Sequence, residues 1–288
     1  MSDRIFTLST GNKLGYAEYG DPGGLPLFYF HGWPSSRTQG ELMHEVGVQR
    51  GLRIIAPDRP GIGLSTFQPD RKLLDWPPVL AELADALGCG RFHLLGVSGG
   101  GPYVLATVHA LAERVLTAGV ICGAPPLLHV GTQDLLWTFR LALWGQRHAP
   151  ALIAPGLVVA ARFLRMPREA LPVRAFIASL AARDQEAMNV PELYGIISRS
   201  GAEGLESGAR GVAADGNIYS SDWGIPLESV SFPIHYWHGT DDRHIPPSMV
   251  ERFVQRMPNA TLSLVDGEGH YSLPALRVQE LLSQQLAP

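Results

Sequence analysis

Short apolar runs, each too brief for a helix, recur through the first 122 residues with helix-like stretches between them. Leu27–Phe30 ends in His31-Gly32, Arg53–Ala56 ends in Pro57-Asp58, and Arg91–Val97 and Val115–Cys122 follow. Helical patterns lie between them at Gln39–Arg50, Val79–Leu87 and Pro102–Leu111. Strands that are apolar throughout are buried on both faces, and helices between them supply the crossovers of a parallel sheet. Ahead of them, Ile5–Leu8 and Leu14–Tyr19 flank the turn-rich Ser9-Thr10-Gly11-Asn12 and read as a hairpin. The pattern predicts an α/β fold with helices on both faces of a mostly parallel sheet.

The alternation stops at Gly123. From about Pro125 to Leu227 the chain shows helix-like segments, among them Leu135–Trp144, Gly156–Leu164, Arg174–Arg183 and Glu203–Ala214, and no convincing strand. Strands resume at Ile234–Trp237 and Leu262–Val265, with helices expected over Ser248–Met257 and Leu276–Leu286. A structureless loop of about 100 residues is rare in a compact domain. The expected organisation is therefore a core of residues 1–124 and 228–288, with a helical cap over 125–227 docked above the sheet.

Charge and composition exclude several partners. The formal net charge is −4 and Lys and Arg form no cluster, so the electrostatic footprint of a nucleic-acid binder is missing, as is a basic amphipathic anchor. Ala149–Leu164 is interrupted by Pro150, Pro155 and Arg162 and falls short of the roughly 20 residues of a membrane span. Met1–Ile5 lacks the basic-then-apolar pattern of a signal peptide. Two cysteines, Cys89 and Cys122, build neither a disulfide framework nor a four-cysteine zinc site. A cytoplasmic monomer or homodimer is expected, with no nucleic-acid or membrane partner.

Gly96-Val97-Ser98-Gly99-Gly100 fits G-x-S-x-G between an apolar strand and a helix that starts near Pro102, the context such a nucleophile turn requires. The run has no Gly-Lys-Ser/Thr ending, and neither it nor Gly61-Ile62-Gly63 makes G-x-G-x-x-G, so a phosphate cradle is disfavoured. A serine nucleophile needs a base within hydrogen-bond reach and a carboxylate to orient that base. Ligands of such sheets bind at the carboxyl ends of the strands, where His31, His238 and His270 stand. His270, after the loop Asp266-Gly267-Glu268-Gly269, completes the order Ser, Asp, His. His238 reads as a buried strand-end residue. The acid is Asp241 or Asp242, adjacent residues just past Ile234–Trp237, of which one can reach His270. A metal site from His235, His238, Asp242 and His244 is disfavoured, because positions 235 and 238 point to opposite faces of a strand. One oxyanion donor is the backbone amide of Gly99. The other is that of Trp33 in His31-Gly32-Trp33-Pro34, since Pro34 has no N–H.

In this order, His31-Gly32-Trp33, Asp58-Arg59-Pro60-Gly61-Ile62-Gly63-Leu64-Ser65, Gly96–Gly100, His238-Gly239 with Asp242 and Pro246, and Gly269-His270 resemble the α/β-hydrolase superfamily over nearly the whole chain. The similarity is to bacterial members with a helical cap and no assigned substrate. In that family the acid is the fifth residue of an H-G-x-x-D-x-x-x-P stretch, which falls on Asp242. The resemblance implies an eight-stranded sheet with the cap inserted after strand six, and a structural role for the Asp58–Gly61 loop. Relatives with dehalogenase or epoxide hydrolase activity carry aspartate where Ser98 stands. Gly99 departs from the larger residue common in relatives and is expected to widen the acyl side of the pocket.

These residues predict a two-step acyl transfer without metal or cofactor, most simply carboxylesterase action on a small or medium apolar ester. Cap aromatics (Trp137, Phe139, Trp144, Phe163, Phe176 and Tyr194) are candidates to roof the site, with Trp33, Trp137 and Phe139 named as substrate contacts. The same Ser98, Asp242 and His270 would serve C–C bond hydrolysis, or an aminopeptidase whose cap carboxylate (Glu192, Glu203, Glu206 or Asp215) holds the substrate amine. They would also suit a slow ligand sensor, whereas a cyanohydrin-type lyase would need an extra cation near Ser98 that the sequence does not place.

Overall fold

The computed structural model describes residues 3–148, 150–206 and 210–287. Its sheet has eight strands among the described residues: β1 (Asp3–Thr7), β2 (Lys13–Gly20), β3 (Leu25–Phe30), β4 (Leu52–Pro57), β5 (Phe92–Val97), β6 (Val115–Ile121), β7 (Ile234–Gly239) and β8 (Ala260–Val265). Their spatial order is β1-β2-β4-β3-β5-β6-β7-β8. β2 pairs antiparallel with both β1 and β4, and every later pairing is parallel. The chain runs from β3 to β4 on one side and then crosses to β5 on the other. The carboxyl ends of β3 and β5 therefore flank the reversal point where open α/β sheets hold their ligands.

Continuous apolar composition and double-sided burial go together. All six residues of β5 are buried, and their side chains alternate between faces. Leu95 and Val97 join Leu27, Tyr29 and Ile54 in the cluster beneath α1 (His44–Arg50) and α13 (Val278–Gln285). Phe92 and Leu94 join Phe28, Phe30 and Ile55 in the cluster beneath α2 (Trp76–Ala86), α3 (Gly101–Leu111) and α11 (Pro247–Val254). Truncating one such buried leucine to alanine costs typically about 2–5 kcal/mol, so the register that supports the site is strongly specified.

Between β6 and β7 the described residues form helices and no strand: α4 (Leu127–Val130), α5 (Trp137–His148), α6 (Pro150–Leu164), α7 (Leu171–Ala178), α8 (Ala182–Asn189), α9 (Pro191–Glu206) and α10 (Arg210–Ser220). α8 packs on α12 (Ser272–Leu276), and α9 on the 3-10 turn Arg37–Met43 that follows β3. Three expected helices are divided. The one expected over 39–50 begins as that 3-10 turn, where Gly40 presses on Ala56 and Tyr19. The one expected over 174–183 breaks after Ala178, because Leu180 and Ala181 bury themselves in a turn rather than on a helical stripe. The one expected over 203–214 is the end of α9 and the start of α10.

Candidate active site

β5 delivers Ser98 at its carboxyl end. The residue adopts φ +52°, the left-handed region, at an intrinsic cost of about 1–2 kcal/mol for a side-chain-bearing residue. The squeeze of strand against helix holds it there. A Cβ on Gly96 would stand 2.7 Å from the Gly100 carbonyl oxygen, and one on Gly100 would collide with the carbonyl of Phe30. The bend projects Oγ away from the sheet.

The loop after β8 brings His270 to that hydroxyl, with Nε2 3.0 Å from Ser98 Oγ and Nδ1 2.7 Å from Asp242 Oδ2. A carboxylate only accepts, so Nδ1 carries the proton and Nε2 accepts from the serine. Asp242 is buried and Asp241 exposed. Asp242 Oδ1 accepts the amides of His244 (2.8 Å) and Ile245 (2.9 Å), and His238 Nε2 lies 3.2 Å from Oδ2. Burial alone would raise the Asp242 carboxyl, yet His270 and the His238 hydrogen bond hold it well below the usual carboxylate range. Burial alone would lower His270, yet the Asp242 and Asp184 carboxylates raise it above the ordinary histidine value on balance. His244 stacks on His270 at 4.9 Å, and burial foremost lowers its pKa to about 4. His235 lies apart, bonded to Ser263 and stacked on Trp237, so the four residues weighed as a metal site do not gather. Among the described residues, potential metal donors cluster at Cys122, Asp242 and His270, of which the last two are bonded to each other.

Two peptides beside Ser98, Gly32–Trp33 and Ser98–Gly99, have their carbonyl oxygens held by hydrogen bonds, which fixes the direction of the N–H of each. In a trans peptide, C=O and N–H point in opposite directions. The Gly32 carbonyl accepts from Arg59 Nη2 at 2.8 Å, which turns the Trp33 N–H away from Arg59. The Ser98 carbonyl accepts the Ala124 N–H at 2.9 Å, which turns the Gly99 N–H the other way. A Cβ on Gly99 would lie 2.8 Å from Trp33 Cβ, so the two positions confront each other. It would also lie 2.5 Å from the Tyr219 hydroxyl, which donates to the Gly99 carbonyl at 3.0 Å. The missing side chain at 99 therefore makes room for Tyr219 and does not widen the pocket.

Arg59 is the residue whose part in this geometry was invisible in the sequence. Its guanidinium donates to the carbonyls of His31 (2.6 Å) and Gly32 (2.8 Å) and pairs with Asp215 at 2.7 Å. Arg71 pairs with Asp215 as well, and the Tyr103 hydroxyl donates to it at 2.7 Å. Trp33 Nε1 donates to the Val212 carbonyl at 2.7 Å. Val212, Asp215 and Tyr219, at helical spacing on one face of α10, thus meet both the segment after β3 and the one after β5.

A cavity of about 390 Å³ opens over Ser98 and His270, walled by Leu127, Leu135, Leu143, Phe163, Leu164 and Phe176. No Asp, Glu, Lys or Arg side chain lines it among the described residues. Trp33 lines it, but Trp137 does not. Trp137 is 72% exposed beside a separate surface hollow, six residues and about 240° around α5 from Leu143. The side chain of Phe139 lies outside the described residues. Trp144 is exposed, and Tyr194 packs on the cluster of Val173, Ile177, Leu180 and Met188 and is not part of the cavity wall. The four acids weighed as amine holders are elsewhere. Glu203 pairs with Arg37, Glu206 with Arg165 and Asp215 with Arg59 and Arg71, while Glu192 is exposed.

A model of the alpha/beta hydrolase family matches residues 27–284. The chain is 25% identical to a non-heme chloroperoxidase of Streptomyces lividans, over 92% of this chain and 91% of that one. It is 28% identical to a proline iminopeptidase of Lactobacillus delbrueckii subsp. lactis, over 91% and 90% respectively. A thermophilic esterase from Thermogutta terrifontis superposes with a TM-score of 0.67 at 22% identity, covering 99% of this chain and 98% of that one.

Proposed function

The chain belongs to the alpha/beta hydrolase family, and from that membership we propose that it is a serine hydrolase that cleaves small or medium apolar carboxylic esters through an acyl-enzyme. The observation that carries the proposal is the chain of contacts from Ser98 Oγ to His270 Nε2 (3.0 Å) and from His270 Nδ1 to Asp242 (2.7 Å), at the floor of an apolar cavity with no Asp, Glu, Lys or Arg in its wall among the described residues. Ser98 attacks the ester carbonyl as His270 takes its proton. The amides of Trp33 and Gly99 hold the oxyanion, and Asp242 stabilises the imidazolium. His270 then protonates the departing alcohol, and water, activated by the same ring, releases the acid. No step calls for a metal or cofactor. Residues 125–227 act as the cap that walls the acyl and alcohol subsites.

The cavity volume falls at the lower end of the roughly 300–1,000 Å³ of small-molecule pockets, which favours short chains. The lack of a carboxylate in its wall among the described residues disfavours recognition of a substrate amine, the feature an aminopeptidase would need. Incubation with a fluorophosphonate should add one phosphonyl group to the peptide that contains Ser98, and p-nitrophenyl butyrate should be turned over with an acyl-enzyme burst. A vinylogous diketone hydrolysed faster than any ester would replace the ester assignment and leave Ser98 in place. Labelling at another residue would remove the mechanism.

The pH dependence follows from His270, which must be neutral to accept the serine proton. Because its pKa is raised above 6.5, kcat/KM should fall on acidification with a midpoint above that value. The stability linkage has the opposite sense. A raised folded pKa stabilises the protein below the unfolded value, and that contribution is lost as pH rises through the folded one. Steady-state rates and unfolding midpoints across pH 5–9 check both. An acid limb below that of free histidine would contradict the assignment of the base.

A further inference from the structure

α8 turns Asp184 inward, on the same face as Ala187 and Met188, and buries it to 1% exposure. Its carboxylate is spent on the loop that carries the base. Oδ2 accepts the backbone N–H of His270 at 3.0 Å, and Oδ1 accepts those of Tyr271 (2.9 Å) and Ser272 (2.8 Å). Gly269 completes the fit, since a Cβ there would collide with the same carboxylate. Hydrogen bonds to a charged acceptor are shorter and about twice as strong as neutral ones, and three of them converge on consecutive amides. Tyr271 adds apolar contact to Phe176 of α7, so the loop meets the helical insertion on both its backbone and its side chains.

We propose that Asp184 is a positioning residue for hydrolysis: from the insertion, it fixes the backbone of His270 and so holds Nε2 in line with Ser98 Oγ. The proposal rests on the serine-hydrolase reading for its kinetic consequence and on the hydrogen bonds alone for its structural one. The titratable groups around His270 are Asp242 and His244 from the loop after β7, Cys122 just past β6 and Tyr271 beside the ring, with Asp184 from α8 at its backbone N–H. Asp242 and Asp184 are the carboxylates that favour the protonated ring, so loss of either charge moves its titration to lower pH. A helix cap with no bearing on the base would move neither the titration nor kcat.

The test compares wild type with D184N, which keeps the volume and one acceptor oxygen. On p-nitrophenyl butyrate, D184N should lose about tenfold or more in kcat with KM within twofold, because a misaligned base slows chemistry rather than binding. The acid limb of its kcat/KM profile should lie at lower pH than that of wild type. Histidine ring NMR should show the same displacement for His270 without reference to turnover. G269A keeps the charge but crowds the carboxylate, so it should lower kcat in the same way, and it supplies the readout if D184N does not fold. If wild type neither labels nor turns over, the hydrolase reading fails, while the NMR titration still decides the role of Asp184. An unshifted His270 titration together with kcat within twofold of wild type, in whichever variant folds, overturns the proposal.

Discussion

Exchange of Ser98 for alanine is expected to lower kcat on p-nitrophenyl butyrate by about 10⁴-fold or more, while the unfolding midpoint stays close to that of wild type. The rate prediction follows from the loss of the attacking atom, which the neighbouring groups cannot replace. Residual catalysis would come from the Trp33 and Gly99 amides and from binding alone. The stability prediction follows from what Oγ touches. Its hydrogen bond is to His270, on the open side of the bend, and a hydrogen bond of that kind contributes about 1 kcal/mol net. Alanine inherits the same φ of +52° and the same Cβ, so no strain is added. Turnover within tenfold of wild type, with the protein folded, would exclude Ser98 as the nucleophile.

Asp215→Asn is expected to destabilise the fold by about 3–5 kcal/mol, the usual result of stripping one partner from a buried ion network. Asp215 is fully buried between Arg59 and Arg71, themselves 1% and 9% exposed, and nothing else near them in the described structure carries a compensating charge. Burial pushes its carboxyl up, but the two guanidinium groups outweigh that and hold it at about 2. A folded pKa below the usual 3.8 gives stability that is present above that value and lost as pH falls through about 2. The variant should therefore lose the part of acid sensitivity that falls between those limits. Denaturant unfolding at pH 7 and pH 3 measures both. Kinetics should suffer too, because Arg59 without its counter-ion no longer fixes the Gly32 carbonyl, and with it the peptide whose N–H is the proposed oxyanion donor. A stability loss below about 1 kcal/mol would show that the two arginines find other partners.

What the sequence revealed and what it hid divide along physical lines. The central strands were legible because double-sided burial writes continuous apolar runs, and Leu27–Phe30 or Phe92–Val97 have few other uses, whereas the exposed β1 was legible only through the turn residues that pair it with β2. Ser98 and His270 were legible because side chains that converge at one sheet edge must sit just past strand ends; the same reasoning left Asp241 and Asp242 open, and only the resemblance to the family's motif chose Asp242. Trp137 misled because hydrophobicity does not state which side of a helix faces inward. Asp184 and Asp215 were hidden for a different reason. Their partners lie 86 and 156 positions away in the chain, at His270 and Arg59, and no local pattern announces a pair at such separation. A fainter signal was present at Asp215, the one acid on α10, set among the small residues Gly211, Ala213, Ala214 and Gly216. Gly211 lets α10 press against Gly61, and a charge at so close a junction is difficult to solvate.

The acids at 184 and 215 give the segment between the sixth and seventh strands unequal freedom to diverge. Phe163 and Leu164 of α6 and Leu143 of α5 line the cavity, and Phe163 and Leu164 otherwise pack on apolar neighbours such as Phe176 and Val212, so apolar exchanges at these positions can reshape the cavity without touching either acid. The helices that bear the two acids are instead wired into the histidine loop and the amide loop. A chimaera that imports a foreign roof wholesale would lose both connections, whereas one that transplants α5 and α6 alone would retain them.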